Sequence, residues 1–137
     1  MDRNIYNENM VRVSTLLAGP FAAAYLMAEN YKTFGQEKRA RQTLIFGLAT
    51  TVFIFGTLLL LPEKLLDKVP HFLLPILFSI VAQFMMRKFQ TSEVEAYLTE
   101  GGHKHSNWKV ARVSGMVLAV ELLVVSVLIF GYYLFFE

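Results

Sequence analysis

Val113–Phe136 reads VSGMVLAVELLVVSVLIFGYYLFF, and this stretch decides the fold class. Its single charge is Glu121. A helix needs about 20 mostly apolar residues to cross a bilayer, so the segment is a spanning helix. Thr43–Pro62 (TLIFGLATTVFIFGTLLLLP) has the same character and carries no charge. Val69–Met86 is apolar apart from His71 near its start and Gln83 near its end. Val13–Ala28 (VSTLLAGPFAAAYLMA) is shorter and rich in small residues, with Pro20 inside it. It reaches spanning length over about 11–31, because flanking residues can snorkel to the interface. A signal peptide ending in Ala22-Ala23-Ala24 is the rival reading. The leading residues do not favour it, since Asp2 and Glu8 match Arg3 and Arg12.

The whole composition agrees with these segments. Of 137 residues, 55% are hydrophobic and 18% charged, against about 45–50% and about 25% in soluble domains. The mean hydropathy is +0.44. A soluble globular domain, a disordered chain and a disulfide scaffold are disfavoured. There is no cysteine, so thiolate chemistry and zinc–sulfur sites are excluded. A net charge of +2 gives no reason to expect a nucleic-acid partner. The expected architecture is therefore all-α: one polytopic domain with four transmembrane helices, at about 11–31, 43–62, 69–87 and 111–136, in a compact bundle.

Orientation follows from where Lys and Arg lie. Lys32, Lys38, Arg39 and Arg41 sit in the first loop, and Arg87, Lys88, Lys104, Lys109 and Arg112 in the third. Arg3, Arg12, Lys64 and Lys68 fall on the other side of a four-span arrangement. The bias places loops one and three in the cytoplasm and both termini outside, with Trp108 as an interface anchor. In the third loop, Ser92 and Glu95 have capping-box spacing, and Gly101-Gly102 offers a stop. This predicts a short amphipathic surface helix over about 93–100, with Val94, Tyr97 and Leu98 on its apolar face. A plain connector is the simpler reading of the same residues.

Glu121 is the leading site candidate. It lies nine residues beyond Arg112, about 13 Å at 1.5 Å per residue, near the middle of a hydrocarbon core about 30 Å thick. A lone carboxylate at that depth carries a proton, holds a cation, or meets water. Tyr25, Thr51 and Ser79 fall at similar depth and complete a candidate proton or cation site, with Thr50 beside Thr51. The structural alternative is a protonated carboxyl that hydrogen-bonds between helices, worth about 0.6–2 kcal/mol. Gly19-Pro20 is a candidate functional break within the first span, or else a tolerated kink. Small residues recur four apart at Ala18/Ala22, Gly19/Ala23, Ala24/Ala28, Gly47/Thr51 and Gly115/Ala119. Such spacing serves helix packing within the chain or between copies. Lys38, Arg39, Arg41, Arg87 and Lys88 form a basic rim suited to anionic lipid headgroups, and positive-inside topology requires the same charges. His103 and His105 are too few for a metal site. No nucleophile–base pair, phosphate loop or catalytic triad is visible, so neither an enzyme nor a cofactor is expected.

The pattern Gly19-Pro20-x-x-Ala23-x-Tyr25-Leu26-x-Ala28-x-Asn30-Tyr31-Lys32, then Ala40-x-x-Thr43, then Gly101-Gly102 shortly before Trp108, resembles a group of small bacterial four-span membrane proteins with no assigned activity. The resemblance implies a bacterial inner-membrane setting and adds no catalytic residues. Small multidrug exchangers differ in carrying a carboxylate within the first span, where this chain has none before Glu29. Dual-topology fluoride channels differ in having balanced loop charges. Two functions follow as expectations: a small oligomeric channel or transporter with Glu121 at its ion site, or a non-transporting subunit that packs against a membrane partner.

Overall fold

In the computed structural model, which describes residues 4–136, the first apolar segment does not run straight. Helix α1 spans Glu8–Ala18 and α2 spans Pro20–Thr33. Between them Gly19 adopts φ 87° and ψ −172°, a backbone state open to glycine and strained for other residues. Pro20 follows at the first position of α2, where its missing N–H costs nothing. The chain reverses here. Tyr6, just before α1, meets Asn30 near the end of α2: its N–H donates to Asn30 Oδ1 at 2.7 Å. Asn30 Nδ2 donates back to the Tyr6 carbonyl at 2.7 Å. Residues 11–31 therefore form a helical hairpin, and the expectation of one span there is corrected.

The other elements surround this hairpin. They are α3 (Glu37–Leu60), the single turn α4 (Glu63–Leu66), α5 (Leu73–Phe89), α6 (Thr91–Thr99) and α7 (Asn107–Phe136). Helix α3 packs on α2, whereas α5 and α7 pack mainly on α1. Among the described residues two helices, α3 and α7, are long and apolar enough to cross a membrane. At 24 and 30 residues they extend about 36 and 45 Å. Helices α1 and α2, with 11 and 14 residues, reach only about 16 and 21 Å. The core ends where the hairpin ends. Buried positions are Ala40, Gly47 and Thr51 on α3, Ser79, Ala82 and Met86 on α5, and Val110, Ser114 and Val117 on α7. Beyond Gly19 the surrounding helices stand bare of the hairpin, with broad apolar faces such as Phe53, Leu60, Phe130 and Phe135 exposed.

The surface helix forms as α6, two residues earlier at its start than the sequence suggests. Its N-cap position is Gln90, and Ser92 lies inside the helix with no capping role. The capping box gives way because Gln90 alone joins α5 to α6, and its side chain is used elsewhere. The expected stop holds: Gly101 takes φ 94°, and Gly102 N–H reaches the Tyr97 carbonyl at 2.9 Å, a Schellman closure. Val94 is buried, while Tyr97 and Leu98 are half-buried against the core.

The amino-terminal segment packs back on the third loop. Ile5 N–H donates to the His103 carbonyl at 3.1 Å, and His105 N–H donates to the Ile5 carbonyl at 2.8 Å. Residues 4–7 thus lie beside the third loop, at the same end of the fold as loop one. Asp2 and Arg3 fall outside the described residues. The hairpin is the cause: an even number of half-length helices brings the chain back to the end where it began.

Candidate functional site

The reversal at Gly19 faces the middle of α7. A methyl group placed on Gly19 would stand 3.8 Å from each carboxylate oxygen of Glu121. Glu121 Oε1 is buried and has no hydrogen-bond partner. Helix α7 presents one continuous stripe to the hairpin: Val110, Ser114, Val117 and then Glu121, at steps of three or four residues. Below the carboxyl, Ser14 and Ser114 share a hydrogen bond of 2.7 Å that fixes α1 on α7. Ser114 Oγ also donates to the Val110 carbonyl at 2.7 Å, which leaves Ser14 as the donor between the two hydroxyls. Gly19, Pro20 and Glu121, named separately from the sequence, are thereby brought together.

None of the hydroxyl candidates hydrogen-bonds to Glu121 Oε1. Thr51 Oγ1 donates to the Gly47 carbonyl at 2.8 Å, and Ser79 Oγ donates to the Ile76 carbonyl at 2.7 Å. Both are spent on their own helices, as Ser and Thr in apolar helices often are. Tyr25 packs among Ala18, Ala22 and Val117. What lies beside the Glu121 carboxyl is instead the break itself, at Gly19 between α1 and α2. Helix ends lack intrahelical partners and carry opposite partial charges.

Above this level a cavity of about 380 Å³ lies among α3, α5 and α7. Val125 and Leu128 line it, four and seven residues on from Glu121 and on the same face of α7. Asp67 and His71 are the polar groups of its lining, and the rest is apolar. The cavity stands between Glu121 and the far end of the fold.

A second polar cluster, missed from the sequence, pins the opposite end of the hairpin. Asn30 Nδ2 donates to Gln90 Oε1 at 3.0 Å, and Gln90 Nε2 donates to the Met27 carbonyl at 2.7 Å. Both side chains are fully buried. Nearby, Glu8 Oε1 accepts from Gln83 Nε2 at 2.7 Å and Arg87 Nε at 2.8 Å. The sequence signal was available in part, since Gln83 and Asn30 are polar residues inside or at the edge of apolar segments. Partial burial pushes the Glu8 carboxyl up, but the hydrogen bonds from Gln83 and Arg87 and the Arg87 charge outweigh it. They hold Glu8 below its ordinary 4.5. The ring of Tyr6 lies 4.2 Å from that of His105. Burial lifts the Tyr6 hydroxyl to about 12; burial, then the Lys109 charge, lowers His105 from its ordinary 6.5.

The sign for Glu8 gives a pH prediction. A carboxyl held down by folding contributes stability above its unfolded value, and that contribution is lost as pH falls through its folded value. The unfolding midpoint of the wild type should drop as pH is lowered from 7 to below 4.5. Glu8→Gln should lower the midpoint at pH 7 and flatten this acid limb. Parallel curves for the two proteins would refute the assignment.

Of the headgroup candidates, Arg87 is engaged with Glu8, and Arg39 stands 4.0 Å from Glu93 Oε1. Lys38, Arg41 and Lys88 are exposed. No family model, no curated protein and no solved structure matches the chain.

Proposed function

We propose that this chain is a small membrane carrier or channel whose proton or small-cation site is Glu121 at the broken hairpin. The observation that carries the reading is the buried, unpartnered Glu121 oxygen beside Gly19. In lipid, irregular backbone at mid-depth is tolerated only where protein buries it or where it lines a cavity. Discontinuous helices meeting a charged side chain are the usual construction of ion-coupled sites. Glu121 can take the proton or cation beside the break, and the positive end of α2 favours the carboxylate when it leaves.

In this reading α3, α5 and α7 span a bacterial inner membrane, and α1–α2 enters it from one face only. With residues 4–7 beside the third loop, Arg12 joins the loop-one and loop-three cations, and Lys64 and Lys68 stand opposite. Positive-inside then puts the amino terminus in the cytoplasm and the carboxyl terminus outside. The cavity above Val125 is the outer approach to Glu121.

The deciding experiment is pH-gradient-driven flux in proteoliposomes, comparing the wild type with Glu121→Gln. Flux in the wild type that falls to the level of protein-free vesicles in the variant, with the unfolding midpoint retained, supports the site. Absence of flux in both, with a changed midpoint or oligomer in the variant, overturns it. That outcome would favour the second reading, a packing subunit. One observation supports that second reading: Gly115 and Ala119 form a small-residue face of α7 that is exposed, ready for a second copy or a partner helix.

A further inference from the structure

The hairpin also creates a groove on the side of α2 that faces α3 and α5, with Glu121 not in its lining. It holds about 810 Å³ between α3 and α5, with α2 as its floor. Each of the three helices contributes one face, starting from Pro20 on α2, Arg39 on α3 and Phe78 on α5. The floor is low because Ala23 and Ala24 occupy it, and Phe46, Met85 and Phe89 raise the walls. From Arg39 to Ile54 the slot runs about 22 Å at 1.5 Å per residue. That exceeds one leaflet of a hydrocarbon core about 30 Å thick.

Shape and charge select the occupant. The groove is an open trough with an almost wholly apolar lining, and an extended hydrocarbon chain fits along it. The mouth lies at the loop-one end and is cationic from both walls. Arg39 lines it on α3. On α5, Lys88 Nζ sits 5.5 Å from the ring centre of Phe89, itself a lining residue. Gln42 adds an amide donor. Glu93, 4.0 Å from Arg39, offsets part of that charge. Lys38 and Arg41 point from other faces of α3 by helical position, and Arg87 is held by Glu8.

We propose that this groove is a specific site for one anionic glycerophospholipid. One acyl chain lies along Ala23 and Ala24, and the headgroup phosphate is held between Arg39 and Lys88. The site does not depend on Glu121 or on transport.

Native mass spectrometry of the full chain in mild detergent tests it, with phosphatidylglycerol as probe and phosphatidylcholine as zwitterionic control. One phosphatidylglycerol per chain should be retained, and phosphatidylcholine less well. Arg39→Gln and Lys88→Gln should each weaken retention about fivefold, the factor for one cation at an anionic surface. Lys38→Gln, off that face of α3, should leave it unchanged. Val81→Trp, at a lining position that is 58% exposed, should displace the lipid without lowering the unfolding midpoint. Equal retention of both lipids, or retention indifferent to Arg39, Lys88 and Val81, overturns the proposal. A dimer that Val81→Trp dissociates, with no lipid retained, also overturns it and assigns the groove to a second copy.

Discussion

Asn30→Leu should destabilise the protein by about 3 kcal/mol, as the shift of its unfolding midpoint in mixed micelles. Asn30 is 0% exposed and serves three groups at once: the Tyr6 N–H, the Tyr6 carbonyl and Gln90 Oε1. Leucine has similar bulk and no polar atom, so the cavity term is small and the polar term dominates. Each buried group left unsatisfied costs about 1–3 kcal/mol, and three would be stranded. The loss should also be local. Without Asn30 the amino-terminal segment is held by its two bonds to the third loop, so backbone amides at Ile5 and Tyr6 should exchange far faster. Asn30→Asp is the informative control. It keeps the acceptor for the Tyr6 N–H and sets a carboxylate against two acceptors, so it should not rescue. Should Asn30→Leu shift the midpoint by less than about 1 kcal/mol, the net worth of a single typical hydrogen bond, the hairpin is not pinned there.

That network explains why the sequence located the break in the first segment without revealing its angle. Pro20 removes an N–H and Gly19 permits a positive φ, and both facts are local. Whether the chain then kinks or reverses depends on what residue 30 finds. Here it finds Tyr6, and Gln90 from α5 locks the pair. No count of hydropathy along one segment contains that meeting. Helices α3 and α7, by contrast, were legible because length and apolar composition alone define them. The site divides the same way. Glu121 and Gly19-Pro20 announce themselves, one as a charge in an apolar run and the other as a breaker. Depth counting for Thr51 and Ser79 fixes height and ignores azimuth, and both hydroxyls donate to carbonyls of their own helices.

The second large effect is at Gly47, where two physical terms oppose each other and the structure decides the sign. On helix propensity alone, Gly47→Ala gains about 1 kcal/mol. But α2 and α3 form the most extensive helix contact in the fold, and a β-carbon on Gly47 would collide with the β-carbon of Ala24. Neither atom ends a flexible side chain, so the helix backbones must separate. Overpacking of this kind costs typically about 1–3 kcal/mol, and the loosened contact adds to it. The expected net change is a loss of about 2 kcal/mol. Gly56, on the same helix with nothing within 4 Å of its would-be β-carbon, is the matched control, and Gly56→Ala should be neutral or stabilising. The double variant Ala24→Gly with Gly47→Ala moves the methyl group from one helix to the other and restores the fit. It should recover most of the loss, giving a coupling of about 0.5–3 kcal/mol, as expected between residues in contact. If Gly47→Ala and Gly56→Ala shift the midpoint alike, and the double variant shows no coupling, α2 does not lie against α3 as described. The floor of the groove and the placement of Gly19 against Glu121 would then fall with it, because α2 carries both.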